Sequence, residues 1–427
     1  RDSVASRGLG DVYKRQVLGY TNAANASLMD ASCVSGISFK SLLPLVQEDV
    51  DKVRSKEKPQ VVIVVAHTSM GKGDGQNLER QGLDLFNSLK GVDVLVTGHD
   101  HSTKVLKTDS TVLLDCGRAG QYACLADIKL VVRGGKMISR LLSGEVESFG
   151  SENYDTAMEE AFKSDYEKVR DFNASHVGEV KKDLVSREFY YRQCDYMNFL
   201  HALAFSAWPV DISLSATLLI DGMVPAGEVR YQDIRKIYPY DNKLVVLRLT
   251  GAEILRYLEA SYDAWINTVP GPAEGSHVLR ITQTKDYATG GLKWKLAKSP
   301  ANFDSAAGIR YTVDVTKPYG SRVTVSGMAD GSPFEMDKDY SVAITSYRST
   351  GSGGLMKAAG LMDARSVEDR IIYRGPEFRT ILYRYLKKHG SIDPAVVGDP
   401  NVVGSWRFVP DFAPEAIKAD VELIYGK

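Results

Sequence analysis

Apolar residues in the first third of the chain follow two patterns in turn. Residues 41–58 (SLLPLVQEDVDKVRSKEK) place them at helical spacing, and residues 78–90 (LERQGLDLFNSLK) do so again. Next to these lie two short apolar runs, 61–66 (VVIVVA) and 92–97 (VDVLVT). A short continuous run of this kind fits a strand buried on both faces. The alternation of strand and helix implies a mostly parallel sheet with covering helices. Residues 111–117, 123–132 and 136–146 read as three more strands, arranged as a meander.

The pattern then changes. Residues 152–180 are charged, with apolar positions at helical spacing, and fit an exposed helix joining two domains. A second segment with its own core runs from 186 to about 390. Its predicted helices are 195–205, 231–239, 251–266 and 378–390, the last ending on Gly390 as C′ positions often do. Its predicted strands are 211–221, 243–250, 309–315, 322–327 and 339–347. This second segment is α+β, and the tail 391–427 reads as irregular and then helical. Residues 1–16 (RDSVASRGLGDVYKRQ) have neither period, and the text changes abruptly at Val17; they read as a non-native leader. The domains expected are thus 17–150, a linker helix over 151–185, and 186–390, followed by the tail.

Composition narrows the class. Hydrophobic residues make up 44% and charged residues 25%, as in ordinary globular proteins. Lys+Arg number 53 and Asp+Glu 54, so no global basic field exists to hold a nucleic-acid polymer or an anionic membrane. The longest strongly apolar run, 61–66, falls far short of the ~20 residues that span a bilayer. Cys33, Cys116, Cys124 and Cys194 have no C-x-x-C spacing, so neither a disulfide framework nor a structural zinc site is expected, and individual pairing stays open.

The chemistry lies with the histidines. Of seven in the chain, His67 follows the first apolar run directly, and His99 and His101 follow the second. Ligands of open α/β sheets bind beyond the carboxyl ends of the strands. If residues 99–101 are extended, the rings of His99 and His101 project the same way and Asp100 the other way. Three converging imidazoles are most simply a transition-metal site.

At these residues the chain resembles a known family. Gly98–His101 (GHDH), with AHTSMG some thirty residues earlier and LLDCGRAGQYACLADIKLVV after it, resembles the C-terminal half of a calcineurin-like metallophosphoesterase domain. KIYPYDNKLVVLRLTGAEILRYLE, NFDSAAGIRYTVDVTKPYG and SVAITSYRSTGSGG resemble the C-terminal domain of 5′-nucleotidases. The two-domain order is similar to the bifunctional 2′,3′-cyclic-nucleotide 2′-phosphodiesterase/3′-nucleotidases and 5′-nucleotidases. The resemblance implies an α/β metallophosphoesterase sandwich followed by an α+β domain. It also implies a centre of two divalent metal ions, with His67 and His99 serving one and His101 the other, which generates hydroxide and clamps phosphoryl oxygens. The family's D-x-H, G-D-x-x-D and G-N-H-[DE] motifs do not occur here. The chain therefore reads as the C-terminal part of such an enzyme, with weak activity expected of it alone and no catalytic residue assignable within it.

The resemblance also implies two aromatics that sandwich a nucleobase, for which Phe303 and Tyr347 are the matches; pattern alone reads both as core. The glycines of 350–354 (TGSGG) are not followed by G-K-[ST], so they read as a tight turn and not a P-loop. Where 5′-nucleotidases bring arginine to phosphate, DISLSATLLID has none, which leans toward the cyclic phosphodiesterase type. The expected ligands are nucleotides or nucleosides, and the expected compartment, by resemblance, is a bacterial periplasm or cell surface. Two alternatives stand beside this reading: a 5′-nucleotidase or nucleotide-sugar hydrolase, and a nucleotide-binding module without catalysis.

Overall fold

The computed structural model describes residues 14–25, 34, 36–133, 136–150, 155–273, 275–285, 290–361, 363–393 and 401–426. The chain divides into two compact units, 1–161 and 162–427.

In the first unit the elements are β1 (Arg15–Thr21), α1 (Leu42–Lys56), β2 (Val61–His67), α2 (Gly82–Ser88), β3 (Val94–Thr97), β4 (Thr103–Lys107), β5 (Val112–Cys116), β6 (Tyr122–Arg133) and β7 (Lys136–Ser148). The sheet has the order β1-β2-β3-β5-β4 and is parallel except for β4, as the strand–helix alternation predicts. Helix α1 turns Leu42, Val46 and Val50 inward at i, i+4 and i+8, against Val62, Val64 and Leu95 of the sheet. On the opposite face Val94, Val112 and Leu114 meet Ile128 of the β6–β7 hairpin. Residues 111–117 thus do not open a meander: β5 joins the parallel sheet, and β6 and β7 pair with each other. Cys116 and Cys124 form a disulfide that ties the end of β5 to β6.

The end of the leader expected over 1–16 falls among the described residues. Residues 1–13 lie outside the described residues, but Lys14 donates its backbone N–H to Gln60 Oε1 at 2.8 Å, and Arg15 and Gln16 pair with Val61 and Val62. They belong to the sheet because β2 offers them a complete parallel partner.

Helix α3 (Thr156–Asn173) buries no residue. It is shorter than expected, because HVGEV forms strand β8 (His176–Val180). The second unit continues with α4 (Asp195–Ala207), β9 (Ile212–Ala216), β10 (Lys243–Thr250), α5 (Gly251–Trp265), β11 (Asp304–Ala307), β12 (Ile309–Asp314), β13 (Val323–Met328), β14 (Asp339–Thr345), α6 (Ser346–Ser349), β15 (Ile371–Glu377) and α7 (Phe378–His389), which ends on Gly390 at φ 75°. Its five-stranded sheet has the order β11-β9-β14-β10-β15, with β9 and β14 parallel and the other pairs antiparallel. The tail is not peripheral. Strand β16 (Trp406–Val409) pairs in parallel with β12, and α8 (Phe412–Tyr425) buries Ala413, Ile417 and Val421 in the same core.

Candidate functional sites

In the first unit, β2 and β3 are parallel neighbours in register at Val65 and Val96. Their carboxyl ends therefore lie side by side, and the residues just beyond them meet. His67 Nε2 and His99 Nδ1 face each other at 3.2 Å, with the rings edge to face at 5.0 Å. The other nitrogen of His99, Nε2, is 2.9 Å from Glu79 Oε1. Glu79 is fixed by its own loop: its carbonyl accepts the Thr68 hydroxyl at 3.0 Å and the Ser69 N–H. Sequence reading missed Glu79, which has no motif around it; only the return of the 68–82 loop brings it to His99.

The expected extended course of 99–101 is corrected. His99 has φ 83° and His101 φ 57°, both left-handed, so the two side chains do not share a face. Asp100, though exposed, accepts the Met70 N–H at 2.7 Å. Partial desolvation would raise its carboxyl, but the Ser69 hydroxyl and Met70 N–H, helped by Arg80, hold it below the ordinary carboxylate range. His101 is exposed and makes no hydrogen bond or ring contact among the described residues.

The spacing of the pair would suit one divalent ion. Imidazole nitrogens at ~2.0–2.1 Å from a tetrahedral ion stand roughly 3.3 Å from each other, close to the separation seen. With Nε2–H of His99 donated to Glu79, Nδ1 carries the free lone pair toward His67, the arrangement by which carboxylates orient metal-binding imidazoles. Among the described residues no group of three or more His, Cys, Asp or Glu is placed to hold a metal ion.

In the second unit a cavity of about 280 Å³ opens at the end of β9 and β14. Tyr240 and Tyr347 line it, 47% and 44% exposed, together with Ser215, Asn242, Asp304 and Arg348. Its floor is an ion pair. Arg348, 2% exposed, gives Nε to Asp304 Oδ2 at 3.0 Å and Nη2 to Oδ1, and Nη1 to Asn302 Oδ1 at 2.9 Å. Tyr257 donates its hydroxyl to Asp304 Oδ2 at 2.5 Å. Burial works against the charge on Arg348, but Asp304 more than offsets it and holds the guanidinium above its ordinary value. Burial, with the Asp304 charge beside it, likewise keeps the Tyr257 phenol protonated. Helix α6 begins on Thr345, whose hydroxyl accepts the Arg348 N–H, and this sets Arg348 inward beneath the Tyr347 ring, 5.3 Å from its centroid.

Tyr347 thus lies at a cavity, whereas Phe303 does not. Phe303 is fully buried, stacked on Trp265 at 5.4 Å and 6° and set edge-on to Tyr190. Phe303 ends the short turn 300–302, where its ring packs into the core, while Asp304, the first residue of β11, lines the cavity. The aromatic that sequence reading missed is Tyr240, which stands in KIYPYDNK, a phrase that carries the family resemblance. The TGSGG turn closes on protein: Gly353 has φ 80°, and a Cβ there would stand 2.3 Å from Asn302 Oδ1 and 2.4 Å from Arg348 Nη1.

Residues 176–360 match the family 5′-nucleotidase, C-terminal domain. The chain is 22% identical over 410 residues to the trifunctional nucleotide phosphoesterase protein YfkN of Bacillus subtilis, covering 84% of this chain and 26% of that protein. It is 28% identical over 203 residues to a 2′,3′-cyclic-nucleotide 2′-phosphodiesterase/3′-nucleotidase of Haemophilus influenzae, covering 44% of this chain and 26% of the relative. The chain thus spans about a quarter of the length of either relative. In fold it is similar to a Staphylococcus aureus protein assigned as a 5′-nucleotidase, with a TM-score of 0.64, 17% identity, and coverage of 95% of this chain and 74% of that one. The chain therefore has the fold of that Staphylococcus aureus protein, and residues 176–360, within its second unit, match the 5′-nucleotidase C-terminal domain.

Proposed function

We propose that this chain serves the hydrolysis of nucleotide phosphoesters, with the second unit binding the nucleoside part. The observation that carries the reading is the pairing of two half-exposed tyrosines, Tyr240 and Tyr347, with a buried, fully hydrogen-bonded Asp304–Arg348 floor in one cavity. Aromatic faces bind bases with little selectivity among them, while Asn242 and Ser215 offer polar groups at the wall. The rigid floor holds Tyr347 from below, so the ring is ready for a ligand before one arrives.

In the first unit, His67 and His99 are the residues we assign to a divalent metal, with Glu79 fixing the His99 tautomer. The metal's contribution in this chemistry is to lower the pKa of a bound water and to polarise phosphoryl oxygen. The second ion of a two-metal centre, and the role of His101, would call on groups beyond the described residues. The substrates that best suit the relatives' names are 2′,3′-cyclic nucleotides and 3′-nucleotides; 5′-nucleotides are the second reading, favoured by the similarity to the 5′-nucleotidase fold. Export to an oxidising compartment is supported by the Cys116–Cys124 disulfide, since such bonds persist outside the reducing cytosol.

Calorimetric titration with adenosine and 3′-AMP tests the base site. Stacking is worth about 1–3 kcal/mol per base. Tyr240→Ala or Tyr347→Ala should therefore weaken binding roughly tenfold or more at an unchanged melting temperature. Phe303→Ala is the contrast: it should cost about 3–5 kcal/mol of stability through the cavity it leaves in the core. Unchanged affinity in both tyrosine variants would overturn the assignment.

A further inference from the structure

A second cavity of about 200 Å³ lies in the same unit, between the end of α4, strand β15 and helix α7. Its lining joins two kinds of side chain. Arg384, Lys388 and His389 stand on one face of α7, with Tyr385 between them, and Tyr373 of β15 stands across from them. Tyr373 is stacked on the exposed Trp208 at 3.8 Å and 12°, so this wall is an aromatic ledge and not a single ring.

The basic side chains there face no acid among the described residues. Other arginines of this unit have acids: Arg379 has Asp241, Arg374 has Glu368 and Arg187 has Asp221. Arg384, Lys388 and His389 form no ion pair or hydrogen bond among the described residues. Arg384 and Lys388 are i and i+4 on the helix, a spacing at which like charges repel. Basic residues do suit the last helical turn, because they face the negative end of the helix dipole. That accounts for Lys388 and His389, but Arg384 lies a turn earlier. The nearby acid, Asp393, acts on the Tyr385 hydroxyl.

We infer that this cavity is a second ligand site, taking a phosphate monoester that carries a flat ring. Arginine and lysine together suit a phosphate, the one through its planar fork of donors and the other as a compact charge. The aromatic wall suits the ring. That the ring is a nucleobase rests on the proposed function; the site itself does not. A nucleoside monophosphate held here would sit apart from the Tyr240–Tyr347 cavity, whose lining shares no residue with this one.

The test uses the full chain with the first cavity disabled by Tyr240→Ala/Tyr347→Ala, and titrates AMP, adenosine and inorganic phosphate by calorimetry. AMP should still bind with one site per chain, more tightly than phosphate and far more tightly than adenosine. Adding Arg384→Ala/Lys388→Ala, both at exposed positions, should weaken AMP at least tenfold without lowering the melting temperature. Absence of AMP binding in the disabled chain, or indifference to Arg384→Ala/Lys388→Ala, overturns the second site and leaves the proposed function standing. Equal affinity for phosphate and AMP overturns the ring-bearing ligand in favour of free phosphate. If instead Tyr240→Ala/Tyr347→Ala changes nothing and Arg384→Ala/Lys388→Ala abolishes all binding, the second site stands and the first cavity's role fails.

Discussion

Position by position, burial decides what a side chain can do. Phe303 and Tyr347 are both aromatic and both match family phrases, yet one is sealed against Trp265 and the other opens on a cavity. His201 shows the same rule for charge. It is fully buried between the Ser213 and Ser305 hydroxyls, at 2.9 and 3.2 Å from its two ring nitrogens. Burial pushes its pKa down from 6.5 to about 3. Between those values the unfolded chain binds a proton that the folded chain refuses, so stability is full above the unfolded value and falls with acid. The loss should approach ~1.4 kcal/mol per pH unit below about pH 6. Melting curves between pH 7 and pH 4 for the wild type and His201→Gln check this: the variant should lose part of the acid slope. An identical slope would remove His201 as its source.

At the level of elements, local signals and sheet pairing divide the work. Helix α5 starts on a capping box: Thr250 Oγ1 accepts the Glu253 N–H at 3.3 Å, and Glu253 Oε2 accepts the Thr250 N–H at 2.8 Å. This matters beyond the helix, because α5 carries Tyr257 to the cavity floor and Trp265 to Phe303. Thr250→Ala should cost about 0.5–2 kcal/mol of stability, read as a lowered denaturant midpoint at an unchanged slope, and Thr250→Ser should recover most of it. A neutral Thr250→Ala would mean that packing alone fixes the start of α5. The helix over 41–58 and the strands at 61–66 and 92–97 were legible because their apolar periods are long and consistent. Strands β15 and β16 were not: their residues alternate weakly, and they exist because β10 and β12 offer them an edge.

For the molecule as a whole, each site needs groups distant in sequence. The proposed metal site draws on His67, His99 and Glu79, from two strand ends and a loop. The chain should bind a single Mn²⁺ or Zn²⁺ through them in calorimetry. His67→Ala and His99→Ala should abolish the heat, and Glu79→Gln should weaken it about 10–100-fold through lost orientation of His99. Two tight ions per chain would show that further residues complete the centre. The disulfide gives a second measurement at this scale. Protein exported to an oxidising compartment should leave Cys116 and Cys124 unlabelled by alkylating reagent in denaturant until a reductant is added, whereas Cys194 should label once unfolded. Labelling of Cys116 and Cys124 without reductant would count against export.

The sequence by itself determined the class of fold and the region of the chemistry. Continuous apolar runs joined by an amphipathic helix can form little other than parallel strands, and parallel strands bring His67 and His99 to the same end. Only the tertiary structure decided the rest. Whether 99–101 was extended depended on the turn that Asp100 makes onto Met70, a contact from another loop. Glu79, Tyr240 and the Cys116–Cys124 pair gain their places from chain segments that return from elsewhere. An aromatic in a family phrase is core or binding face according to what packs around it, and distant segments set that packing. Period and spacing are local quantities; a site is a coincidence of distant ones.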